Sequence, residues 1–148
     1  MIVYGDATGP IILAHRGGLH GLPENSLEAF AAAIDAGANY LETDVRLGRD
    51  GVLYLIHTAT SLLPNRYVRL QAGKKHTRLE DLFQAFPNAY FAIDPKHKRA
   101  VEPLAKLIVR YGKQDQVCVG SSLDKRAQKV VGLVNALSGK KPSLARVG

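Results

Sequence analysis

The chain has 148 residues, a formal net charge of +7 at pH 7 and 46% hydrophobic residues. That length suits one ordinary domain with one real core, and the apolar share excludes a disordered chain. No apolar run reaches membrane-spanning length, and no basic-aromatic motif for nucleic acid stands out, so the positive excess, much of it after Lys96, reads as a solvated basic surface. The opening MIVYGDATGP has neither the basic n-region nor the apolar h-region of a signal peptide, so a cytoplasmic protein is expected. Cys118 is the only cysteine, set in an apolar run, which predicts a buried free thiol.

Residues 11–14 are four consecutive apolar residues, the pattern of a short strand buried on both faces. His15 and Arg16 follow at once, at the carboxyl end where parallel sheets place their ligands, although an arbitrary His-Arg pair is more often a solvated loop start. Gly17 and Gly18 allow a sharp turn. Asn25 as N-cap with Glu28 three residues on resembles a capping box. Leu27, Phe30, Ala31 and Ile34 then mark one buried helical face that ends at Gly37.

Residues 40–45 read as the second strand, in which Glu42 and Asp44 point to the same face. Two like charges on a mostly buried strand call for a positive group between them, and a hard divalent cation is a common solution; an exposed acidic face is the alternative. Arg49-Asp50-Gly51 is a turn. A further apolar strand over residues 52–56 terminates in His57.

Residues 58–75 read as a loop, and Thr77, with Glu80 three on, as the cap of a helix buried through Leu79, Leu82, Phe83 and Phe86. A strand over 89–93 ends in Asp94-Pro95-Lys96. Pro103 starts a helix with the stripe Leu104, Leu107, Ile108 and Tyr111, a strand follows over 116–119, and a helix over 124–137 buries Ala127, Val130, Val131 and Val134. Residues 144–147 form a last strand. This alternation argues for parallel βαβ units.

The series HRGG, PENS, AF, GA, LETDV, DG and H, from Ile11 to His57, resembles the N-terminal signature of the glycerophosphodiester phosphodiesterase family, and the likeness continues more weakly to the end of the chain. Several separated motifs in one order are far more specific than any one of them. The resemblance implies an α/β fold of the TIM (β/α)8 barrel type. At this length it is expected to be an incomplete barrel of about the first five strands, with residues 1–148 forming a partial domain, since a complete barrel takes about 250 residues. It implies metal-dependent hydrolysis of a small-molecule glycerophosphodiester to glycerol 3-phosphate and an alcohol. Glu42, Asp44 and Asp94 would hold one divalent cation, magnesium or calcium (Mg²⁺ or Ca²⁺), and Arg16 and Lys96 would bind the phosphate. His15 and His57 would be the catalytic acid and base, a role that suits imidazole near neutral pH.

Two positions depart from the family pattern. Asp94 stands where the family has Glu, and Thr58 where it has Asp after the second histidine. The alternative reading is a non-catalytic remnant acting as an interaction domain, with self-association through an open sheet edge as its expected mode. A phospholipase D-like barrel is disfavoured by the PENS element. His20, His76 and His97 have no motif support and are expected at the surface.

Overall fold

The computed structural model describes residues 11–18, 21–57, 70, 74–120 and 124–145. His20, Thr58, most of the expected 58–75 loop and the last residues of the expected final strand lie outside them. In chain order the elements are β1 (Leu13–His15), α1 (Leu27–Asp35), β2 (Tyr40–Leu47), β3 (Leu53–Leu55), α2 (Leu79–Ala85), β4 (Tyr90–Pro95), a 3-10 turn (Lys98–Ala100), α3 (Val101–Arg110), β5 (Val117–Gly120), α4 (Asp124–Ser138) and β6 (Ser143–Ala145).

Strands β1, β2, β4, β5 and β6 pair in that order, all parallel, and β3 pairs antiparallel with the far end of β2. Among the described residues the sheet is open, with β1 and β6 as its edges. Register sorts the side chains into two faces. Leu41, Phe91 and Val117 share one row and Thr43, Ile93 and Val119 the next, and all six are buried on the helix-covered face. His15, Glu42 and Ala92 line up on the other face, as do Asp44 and Asp94.

The expected stripes of α2, α3 and α4 supply core residues, whereas α1 buries Ala29, Phe30 and Ala33, with Leu27, Ala31 and Ile34 of its expected stripe only partly buried. Leu79, Leu82, Leu104, Ile108, Val130 and Val134 are fully buried, and Phe83 meets Phe91 edge-on at 5.0 Å. Burial also pushes the Cys118 thiol up to about 12, as expected of an inert interior cysteine.

Three local expectations are corrected. The first strand is not buried on both faces: Ile11, Ile12 and Leu13 are 39–49% exposed, because β1 is an edge whose one described partner is β2. Helix α1 is capped by Ser26, whose Oγ accepts from the Ala29 N–H at 3.1 Å, and not by Asn25. Helix α2 starts one residue late, with Arg78 as N-cap and its backbone N–H donating to Asp81 Oδ2 at 3.1 Å, so Thr77 and Glu80 do not form the box. His76 and His97 are half-buried, and His97 Nδ1 accepts from the Arg99 N–H at the start of the 3-10 turn.

The turn after β1 depends on Gly17. Its φ is +94°, and a Cβ there would lie 2.6 Å from Ala29 Cβ and 3.2 Å from the Ala29 carbonyl carbon. Gly17→Ala is therefore expected to destabilise the chain by about 3 kcal/mol in urea unfolding, combining backbone strain with overpacking. Gly21→Ala, also at positive φ (+71°) but in open space, should lose only about 1 kcal/mol. Equal losses at the two glycines would contradict the close approach of this turn to α1.

Candidate active site

The carboxyl ends of β1, β2 and β4 lie side by side, and the sequence places an ionisable side chain at each. The β1 ladder runs on by one bond past the strand, from the Arg16 N–H to the Glu42 carbonyl at 2.9 Å. Arg16 then takes φ +52°, a conformation that non-glycine residues adopt rarely and mostly at functional sites or turns. Its carbonyl accepts from the Asn25 N–H at 2.8 Å, and the Asn25 side chain accepts from the buried Thr43 hydroxyl at 2.9 Å. Asn25 is thus a buried pin between the PENS turn and β2. Its own φ of +57° is one that Asn tolerates better than most residues.

His57 arrives by a hairpin. Beyond the sheet, β2 continues through Arg46 and Leu47 and turns at residues 48–51. There Asp50 Oδ1 accepts from the Val52 N–H at 3.0 Å and Asp50 Oδ2 from the Tyr54 hydroxyl at 2.6 Å. β3 then runs back along β2. Its last ladder bond joins the Ile56 N–H to the Asp44 carbonyl at 3.1 Å, which sets His57 beside Asp44.

Asp44 is the centre of the cluster. Its side chain is 3% exposed, yet it meets three nitrogen groups. Oδ2 accepts from His57 Nδ1 at 2.7 Å and pairs with Arg16 Nε at 3.3 Å. Oδ1 lies 3.1 Å from Lys96 Nζ, which also donates to Asp94 Oδ2 at 2.6 Å. Arg16 Nη2 donates to His57 Nε2 at 3.0 Å. Guanidinium can only donate, so Nε2 is the acceptor, and the neutral imidazole carries its proton on Nδ1, facing Asp44. Arg16 Nη1 pairs with Glu24 at 3.5 Å. His15, with its side chain 63% exposed, stands outermost, its Nε2 3.5 Å from Glu42 Oε2.

Charge balance follows burial. Desolvation, then the neighbouring Asp44 charge, raises the Glu42 carboxyl above its usual range. Burial pulls Lys96 down, but the hydrogen bonds it donates to Asp94 and Asp44 outweigh it, and its pKa is raised. Burial lowers the pKa of Arg46, opposed by the Asp44 and Asp94 charges.

All seven residues singled out from sequence sit at this one edge. The expected metal cage does not stand ready-made. Among the described residues no three His, Cys, Asp or Glu side chains form a metal-holding group, and Lys96 Nζ lies between the Asp44 and Asp94 carboxylates. The donor chemistry nevertheless fits a hard divalent cation. The three side chains are oxygen donors, and Glu42 Oε2 and Asp94 Oδ1 are buried with no hydrogen-bond partner among the described residues. Sequence reading missed two residues, Asn25 as a pin and Arg46. Extending the alternation Glu42, Asp44 by one more step along β2 would have found Arg46 on the same face.

Residues 15–63 match the Glycerophosphoryl diester phosphodiesterase family. A Mycobacterium tuberculosis protein named "Probable glycerophosphodiester phosphodiesterase 2" is 37% identical over 85% of this chain and 53% of that protein. The chain thus resembles part of a glycerophosphodiester phosphodiesterase domain. It spans about half the length of that curated relative. The crystal structure of a glycerophosphodiester phosphodiesterase from Thermotoga maritima superposes with a TM-score of 0.62 at 27% identity, covering 93% of this chain and 63% of that one. The enzyme of that name from Agrobacterium tumefaciens gives 0.70 at 23% identity, covering 87% and 64%, a likeness of fold. Among the described residues the open parallel sheet is therefore an incomplete (β/α)8-type barrel, with five strands in barrel order and β3 as a hairpin arm outside it.

The bridging role of Lys96 is open to test. Lys96→Met leaves the adjacent Asp44 and Asp94 carboxylates less compensated. It should lower stability in urea unfolding by about 2 kcal/mol, less than for a wholly buried pair because Lys96 keeps some solvent contact. Adding Asp94→Asn should recover part of that loss. A single variant as stable as the parent chain would contradict the bridge.

Proposed function

We propose that this edge is a phosphodiester-hydrolysing site for small glycerophosphodiesters, releasing glycerol 3-phosphate and an alcohol. The observation that carries the reading is the convergence of His57, Arg16 and Lys96 on the buried Asp44 carboxylate. It gathers two fixed cations and an imidazole around one point at the carboxyl ends of barrel strands, where such folds do their chemistry. The resemblance to the glycerophosphodiester phosphodiesterase family supports the same reaction class.

In this reading Arg16 and Lys96 bind the phosphate oxygens, Arg16 as a fork and Lys96 as a point charge. A phosphate at Arg16 competes for the N–H groups that now face His57 and frees the Nε2 lone pair as a proton acceptor. His57 then takes the proton of the attacking glycerol hydroxyl, and Asp44 holds the resulting imidazolium through Nδ1. His15, outermost and solvent-facing, delivers a proton to the leaving alkoxide. Water opens the resulting cyclic phosphate with the two proton-transfer roles exchanged. Glu42, Asp44 and Asp94 would hold magnesium or calcium, which when bound supplies Lewis-acid polarisation of a non-bridging phosphate oxygen.

Glycerol 3-phosphate release from glycerophosphocholine by the chain tests the reading. Release should be abolished by a chelator and fall by at least about 100-fold in His57→Ala, the range of a lost general base. Calorimetry should show one divalent-cation site, absent in Glu42→Ala. Release that continues unchanged in His57→Ala, or cation binding unchanged in Glu42→Ala, would overturn the corresponding assignment.

A further inference from the structure

Arg46 belongs to no part of the reading above, although it shares the β2 face of Glu42 and Asp44. It is half-buried, and its guanidinium donates twice to one atom: Nη2 and Nε reach the His57 carbonyl oxygen at 2.9 and 3.3 Å. This carbonyl lies past the end of the hairpin ladder, whose last bond is made by Ile56. The β2–β3 pairing therefore fixes the chain up to Ile56 but not the peptide plane after it.

We infer that Arg46 is a positioning residue. Its forked contact with the His57 carbonyl locks the backbone of that residue, so that the imidazole presents Nδ1–H to Asp44 and keeps its Nε2 lone pair on the Arg16 side. Arg46 itself touches neither Asp44 nor the imidazole by any bond the structure shows, so its influence passes through the His57 backbone. Two properties make arginine suited to the task. The planar fork places two donors on one acceptor with little freedom to drift. The side chain is also anchored on a paired strand position, Arg46 facing Tyr54 across the hairpin, and a site built on a paired strand is held more tightly than one built on a loop. The inference concerns the geometry of His57. Its significance for catalysis rests on the proposed phosphodiesterase reading, but its test does not.

The test is nitrogen NMR of the imidazole in the full chain without added metal, above the imidazole titration range, with the His57 signals assigned by their loss in His57→Gln. In the parent chain His57 should show a protonated Nδ1 and an unprotonated Nε2. Arg46→Met, similar in length but without donors, should replace this pattern by averaged signals of two exchanging tautomers. Arg46→Lys, with a donor at the same depth, should restore most of it. If the Met variant keeps the parent pattern, the positioning role is wrong, even if its melting temperature falls, because a merely structural role moves stability alone. Should the Met variant not fold, the parent chain supplies the second reading. The Arg46 Nε–H should exchange slowly with solvent and correlate with the His57 carbonyl carbon, and a fast-exchanging Nε–H overturns the clamp. Failure of catalysis with the NMR pattern intact would count against the phosphodiesterase reading and leave the clamp standing.

Discussion

A carboxylate withdrawn almost wholly from water is the constraint on which the rest of this site depends. Alone, Asp44 at 3% exposure would be neutralised or would unfold its surroundings. Here it is satisfied by an imidazole N–H, a guanidinium and an ammonium, from three segments that lie far apart in the chain. Each partner is in turn tied to another group: His57 to Arg16, Lys96 to Asp94, Arg16 to Glu24. Buried polar networks of this kind rigidify a site when every member is satisfied and penalise it heavily when one is lost. Among the described residues two buried carboxylate oxygens remain without hydrogen bonds, one on Glu42, two residues before Asp44 on β2, and one on Asp94, beside it on β4, and they mark where an additional positive charge would be most welcome.

The fold brings these partners together by unequal means. The parallel ladder aligns Asp44 with Asp94 and Glu42 with His15 at no cost beyond that of the sheet. Arg16 requires more: a left-handed backbone, a close glycine turn over α1, and Asn25 holding its carbonyl. His57 requires a hairpin arm that leaves the barrel order and returns antiparallel. The strained and irregular parts of the described chain thus collect around Arg16 and His57, as expected where position is worth more than local stability.

Much of this was legible in the sequence. The helical stripes that contain Leu82, Ile108 and Val134 supply core residues, although Phe86 and Tyr111 at the ends of two of them are only partly buried, since burial follows a 3.6-residue period that composition cannot disguise. The shared face of Glu42 and Asp44 was legible too, since residues two apart on a strand point the same way. Other features were not legible. Leu13 is as apolar as any core residue, and its exposure depends on which strands neighbour β1. The direction of β3 depends on the turn at residues 48–51, and a short apolar run looks the same in either direction. Asn25 reads as a cap because Asn and Ser are both good caps, and only the contact with Thr43 across the sheet assigns the cap to Ser26. That Lys96 would bridge two carboxylates and not simply face solvent follows from the β2–β4 register, a tertiary fact.

The central claim, that the charge of Asp44 organises the site, is tested most directly by Asp44→Asn in urea unfolding beside Glu42→Gln and Asp94→Asn, each a near-isosteric loss of one negative charge. The Asn at position 44 leaves Arg16, His57 and Lys96 together without their common anion. It should lower stability by about 3 kcal/mol or more, the loss typical of a broken buried charge pair, while the two flanking substitutions lose clearly less. An Asp44→Asn chain as stable as the parent, or no less stable than the two flanking variants, would contradict the account.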